Sequence, residues 1–135
     1  MGNENINILI VDDVPENVTI LRNFLENEDC SISMAANGEK AIEIASKTLP
    51  QLILLNVMTP GHDGFQICKK LKNSWLTHKI PIIFVMGKTP VEDIISGFEA
   101  GGCDYLTKPF TEQEILVRVK THLQLSELKI LNYGL

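Results

Sequence analysis

The feature that most narrows the fold is a set of short apolar runs with branched residues on both alternating faces. Ile8-Leu9-Ile10-Val11 and Ile82-Ile83-Phe84-Val85 leave no polar face for water. Strands of this kind are covered on both sides, as in a parallel sheet held between helices. The spacing predicts five strands: Ile6 to Val11, Ser31 to Ala35, Gln51 to Leu55, Ile80 to Val85 and Asp104 to Leu106. Longer amphipathic segments separate them, so the chain reads as repeated strand-helix units. The second strand is the weakest and belongs at an edge.

Helix starts are marked by Pro15, by Gly38-Glu39 before Ala41, by Pro90 before Glu92-Asp93, and by Thr111 with Glu114 three residues on, a capping box. Val18, Leu21 and Leu25, and again Ile94, Ile95 and Phe98, recur at helical spacing and are read as core faces. The expected fold class is α/β, a doubly wound five-stranded parallel sheet in the flavodoxin-like order 2-1-3-4-5. Ligands of such sheets bind beyond the carboxyl ends of the strands.

Composition excludes several classes. With 135 residues, 44% of them hydrophobic, one core is expected, and no disulfide or metal is needed to hold it. Cys30, Cys68 and Cys103 are odd in number and widely spaced, which indicates thiols in a reducing compartment and no zinc site. The net charge of −5 and the scattered basic residues argue against nucleic acid. No apolar stretch approaches a membrane span, and the first residues lack a secretory pattern, so a cytoplasmic protein is expected.

The strand ends carry the chemistry. Asp12-Asp13 follows the first strand, Asn56 closes Leu52-Ile53-Leu54-Leu55-Asn56, Met86 ends the fourth run, and Lys108-Pro109 follows the last. Two adjacent carboxylates at a strand end suit a hard octahedral cation such as Mg²⁺. Taken alone, Asp13 is better explained as the cap of the helix at Pro15, and a lone Lys108 as a solvated surface group. His62 lies on the loop after Asn56 and reads as a solvated residue, and His78 and His122 as surface positions of a loop and a helix. An aspartyl phosphohydrolase would need D-x-D spacing, which Asp12-Asp13-Val14-Pro15 does not supply. A flavin carrier would need a Ser/Thr-rich phosphate loop, and Val14-Pro15-Glu16-Asn17 is not one.

From Ile6 to about Leu125 the chain resembles the receiver domain of bacterial response regulators, with motifs at all the expected strand ends. The resemblance implies Asp12 and Asp13 as Mg²⁺ ligands, helped by the Asn56 side chain and the Met58 backbone. It implies Lys108 as the partner of a phosphoryl group, with a cis bond to Pro109, and Tyr105 as an aromatic switch. Gly87 matches the small residue beside the phosphate, and Asp63-Gly64 the turn into the third helix. It further implies a non-enzymatic signalling module of a two-component phosphorelay. Its partners would be a histidine kinase or an output domain, met on the face of the fourth helix, fifth strand and fifth helix.

Two departures matter more than the matches. The family places an aspartate at position 56, and an amide cannot replace it as nucleophile, because its nitrogen lone pair is delocalised and its oxygen carries no full charge. Only two carboxylates remain, so Mg²⁺ is expected to bind weakly or not at all. The family places Thr or Ser where this chain has Met86, whose thioether donates nothing. A laboratory Asp-to-Asn change in an ordinary phosphate-accepting receiver would explain Asn56 but not Met86. Two losses along one path favour a phosphorylation-deficient pseudo-receiver. The discriminating experiment is Asn56→Asp, asking whether phosphorylation and a Mg²⁺-dependent fluorescence change at Trp75 appear.

The domain is expected over residues 5–125, with 126–135 as a helical extension or linker. Leu116, Leu123 and Ile130 fall at heptad spacing, so this end is expected to be an interface. It would either pair with a second copy or lead to an output domain.

Overall fold

The computed structural model of the protein describes residues 6–26, 30–59, 62–87, 91–109 and 111–133. Five parallel strands form the central sheet: β1 (Asn7–Val11), β2 (Ser31–Ala35), β3 (Leu52–Asn56), β6 (Ile82–Met86) and β7 (Asp104–Thr107). Their spatial order is β2-β1-β3-β6-β7, the expected 2-1-3-4-5 when these five strands alone are counted. The weak second strand is at an edge, as its composition required. Between β3 and the third helix lies a two-stranded antiparallel ribbon, β4 (Met58–Thr59) with β5 (His62–Asp63), where the pattern suggests only a loop.

Among the described residues five helices cover the sheet: α1 (Pro15–Leu25), α2 (Gly38–Thr48), α3 (Gly64–Lys72), α4 (Val91–Glu99) and α5 (Glu112–Tyr133). Their starts follow local chemistry. Pro15 occupies the first position of α1, Asn37 accepts the Lys40 amide before α2, and Asp63 accepts the Phe65 amide before α3. Thr111 Oγ1 accepts the Glu114 amide, so the capping-box threonine acts as expected.

The alternation of each strand divides the core in two. Ile8, Ile10, Leu52, Leu54, Ile83, Val85 and Leu106 meet Val18, Leu21 and Leu25 of α1 and Ile115 and Val119 of α5. On the other side, Leu9, Val11, Ile53, Leu55, Ile82, Phe84 and Met86 meet Ala41 and Ala45 of α2 and Ile67, Cys68 and Leu71 of α3. Each buried Val, Leu, Ile, Phe or Met among them contributes about 1.5–3 kcal/mol, so these two clusters hold the fold.

One reading of apolar spacing needs correction and another is narrowed. Ile94 packs against the core, but Ile95 and Phe98 are 52% and 49% exposed, because α4 turns that side outward. Leu116 and Leu123 pack against the α1/α5 core, so two of the three heptad positions are already covered within the domain. The side chain of Ile130 lies outside the described residues.

Candidate functional site

The registers bring the strand-end residues together. Val11 pairs with Leu55, which sets Asp12 level with Asn56; Asn56 pairs with Val85, and Met86 with Thr107. Beyond the last pair, the Lys108 amide donates to the Met86 carbonyl at 2.9 Å. Residues 12, 13, 56, 86 and 108 therefore gather at one edge, the carboxyl end of the sheet.

Asp12 and Asn56 are two of the three buried polar residues among those described, at 4% and 6% exposure. Asp12 Oδ1 accepts the Val14 amide at 2.9 Å, fixing the turn from β1 into α1. Asp12 Oδ2 and Asp13 Oδ1 are buried and have no hydrogen-bond partner. Asp13 is not the cap of α1, since the cap position is Val14 and no side chain bonds there. Buried carboxylate oxygens left without donors are costly unless a cation meets them, so the pair fits a divalent ion. Among the described residues no three His, Cys, Asp or Glu side chains are grouped to hold a metal.

Close backbone approach shapes the floor of the site. The Gly64 amide donates to the Val57 carbonyl at 3.1 Å, and a Cβ at Gly64 would stand 2.7 Å from Val57 Cα and 2.9 Å from the Asn56 carbonyl oxygen. Only glycine allows α3 to begin that close to the end of β3. Met58 opens β4 and pairs with Asp63, while the side chains of Met58 and His62 lie outside the described residues. The bond between Lys108 and Pro109 is cis, as the resemblance implies.

Met86 is 1% exposed and faces the same core cluster as Phe84 and Ile82, against which Tyr105 is partly buried. The Tyr105 ring meets Phe98 of α4 edge to face, with centroids 6.1 Å apart. Phe84 packs edge to face on Phe65 of α3 at 5.2 Å.

Trp75 follows the end of α3, at the opposite end of the sheet from Asp12, Asp13 and Asn56, and is 83% exposed, so it is not placed to sense a cation there. One expectation fails here. His122 is not a surface residue: its side chain is 13% exposed and Nε2 lies 2.9 Å from Asp104 Oδ2. Arg118 Nη1 donates to both Asp104 oxygens at 3.1 Å. No sequence spacing signals this cluster, because its members are brought together by β7 lying beside α5. The cysteines carry no disulfide among the described residues, and burial pushes the Cys68 and Cys103 thiols up to about 11, which keeps them protonated and unreactive.

Fold and site together define a doubly wound α/β domain with an acidic pocket at the carboxyl edge of its sheet. The chain belongs to the response regulator receiver domain family, whose sequence model matches residues 8–120. It is similar to the response regulator PleD of Caulobacter vibrioides, with 40% identity over 84% of this chain and 25% of that protein. It is also similar to the alkaline phosphatase synthesis transcriptional regulatory protein PhoP of Bacillus subtilis, with 40% identity over 92% of this chain and 51% of that protein. The chain thus spans about a quarter to a half of these relatives. The solved structure of a two-component response regulator from Clostridium difficile superposes with a TM-score of 0.82 at 33% identity, over 88% of this chain and 96% of that one. Receiver domains are generally non-enzymatic modules of two-component systems that meet histidine kinases and effector domains, and they typically bind Mg²⁺ at the acidic pocket. Among the described residues no helix is long and apolar enough to cross a membrane.

Proposed function

We propose that this chain is a pseudo-receiver, a two-component module that has lost aspartyl phosphorylation and acts through protein contacts. The observation that carries the reading is the buried amide of Asn56, ending the central strand beside Asp12 where phosphate transfer requires a carboxylate nucleophile. Asp12 and Asp13 are the residual ligands of a weak Mg²⁺ site, with the Asn56 side chain and the Met58 backbone as further oxygen donors. The cation, when bound, supplies positive charge to an oxyanion at that edge. Lys108 offers a second positive charge to the same position. Met86 and Tyr105 stand at the former switch, where a buried thioether replaces a hydroxyl.

In this reading the contact surface is the face of α4, β7 and α5, where Ile95 and Phe98 are half exposed and Tyr105 packs on Phe98. Its partners are a histidine kinase or an effector domain, and a second copy of the chain through α5. The receiver proper covers residues 5–125. Residues 126–135 are a helical extension or linker, and α5 runs on to Tyr133. Neither nucleic acid nor membrane enters the reading, and the protein works in the cytoplasm.

The test is incubation with labelled acetyl phosphate and Mg²⁺, and separately with a phosphorylated histidine kinase. The expected result is an unlabelled protein. Labelling at a stoichiometry near one would overturn the proposal.

A further inference from the structure

At the end of the sheet opposite the site, α3 runs into a turn that presents the chain's single tryptophan. Trp75 is 83% exposed and Leu76 beside it 43%. The exposed residues nearest in sequence are cationic or neutral: Lys69 and Lys70 in the last turn of α3, Asn73 at its end, then His78 and Lys79. All 17 acidic residues of the chain lie outside Gly64–Val91, whereas that segment holds five lysines. Lys69, Lys70 and Lys79 form no ion pair among the described residues. Lysines in a last turn also complement the helix dipole, but that accounts for neither Lys79 nor the exposed indole.

The turn is fastened at several points. Thr77, 1% exposed, donates through Oγ1 to the Leu71 carbonyl at 2.6 Å. The amides of Thr77 and His78 both donate to the Ser74 carbonyl, at 3.2 and 2.9 Å, and the Ile80 amide donates to Thr77 at 3.1 Å. The Lys72 ammonium donates to the carbonyls of His78 and Ile80, at 3.1 and 2.5 Å. The indole is therefore displayed on a backbone ordered by folding, which lowers the entropy cost of docking it. Tryptophan in such a position is the residue type that most often dominates an interface.

We infer that the Trp75–Leu76 turn and the lysines flanking it form a docking surface for an acidic segment of a partner protein, with the indole entering an apolar pocket. Charge complementarity selects that occupant. A membrane fits less well, because one indole and three lysines lack the apolar helical face or second anchor that stable attachment needs. Nucleic acid fits less well, because three exposed lysines are too few to neutralise many phosphates. The surface lies away from the acidic pocket, so the inference is independent of the pseudo-receiver reading.

The test replaces Trp75 with p-benzoylphenylalanine in the full chain, expressed in its native cells and irradiated, with the same replacement at exposed Gln66 as control. Crosslinks at position 75 are expected to map to an acidic segment of one protein and to disappear in Lys69→Glu/Lys70→Glu. That protein, once purified, should blue-shift the emission of unmodified Trp75, with affinity weakened about tenfold or more by the double lysine change. Circular dichroism melts confirm that these exposed changes leave the fold intact. Adducts no stronger than the Gln66 control, adducts to lipid or RNA, or adducts indifferent to the lysine changes would overturn the inference.

Discussion

Asp104, the first residue of β7, and His122, eleven residues into α5, meet side chain to side chain at 2.9 Å. Arg118 and the Tyr105 amide share the same carboxylate, at 3.1 and 2.8 Å. Burial pushes the Asp104 carboxyl up, but the bonds from His122, the Tyr105 amide and Arg118 outweigh it and hold the group below its ordinary 3.8. The cluster thus fastens α5 to β7 on the face proposed for partners.

A group whose folded value lies below its unfolded value contributes stability above the unfolded value and loses it as pH falls through the folded one. Thermal melts from about pH 6 to about pH 2.5 should therefore show the wild type losing stability below the ordinary carboxylate range. Asp104→Asn should start lower, by about 1–3 kcal/mol, and fall less over that range. Parallel curves for the two proteins would show that Asp104 carries no such linkage.

Asp13 presents the opposite case, a carboxylate with one buried oxygen and no partner for it. Replacement by an amide removes the negative charge that this buried oxygen shares. In chelator, Asp13→Asn is expected to raise stability by about 0.5–2 kcal/mol, and calorimetry should show that any Mg²⁺-dependent stabilisation of the wild type is lost. A variant less stable than wild type in chelator would mean that Asp13 is held by interactions that the amide cannot make.

The packing of α3 on β3 turns on Gly64. A methyl group there meets the Val57 and Asn56 backbone at 2.7 and 2.9 Å, so Gly64→Ala should cost about 1–3 kcal/mol and shift the amide resonances of Asn56 and Val57. Gly87 supplies the control, since a Cβ there meets nothing within 4 Å. Gly87→Ala should stay within about 0.5 kcal/mol of wild type. Equal effects at the two positions would mean that the close approach at Gly64 is relieved without strain.

The sheet was legible because buried parallel strands leave continuous apolar runs, and strand order followed from βα alternation with acidic residues after the first strand. Strand ends then located Asp12, Asp13, Asn56 and Met86, since the registers are nearly level. What periodicity could not supply was direction. Ile94, Ile95 and Phe98 share helical spacing, yet only the first packs inward, because an interface and a core both ask for apolar residues. The contact of Asp104 with His122 joins positions 18 apart through tertiary packing alone. The two-residue strands β4 and β5 are too short for any pattern to register.

The last prediction separates the acceptor from the switch. Asn56→Asp adds a third carboxylate beside Asp12, so Mg²⁺ should bind more tightly and acetyl phosphate should label the protein. Met86 remains buried in the cluster against which Tyr105 packs, with no hydroxyl to engage a phosphoryl oxygen. Amide resonances of Ile95, Phe98 and Tyr105 should therefore stay unchanged on phosphorylation of the single variant, and move only when Met86→Thr is added. Trp75 emission should stay constant in both, since it lies at the far end of α3. A full response of Ile95, Phe98 and Tyr105 in Asn56→Asp alone would show that the amide is the only break, and that Met86 transmits the phosphate signal as well as the usual hydroxyl does.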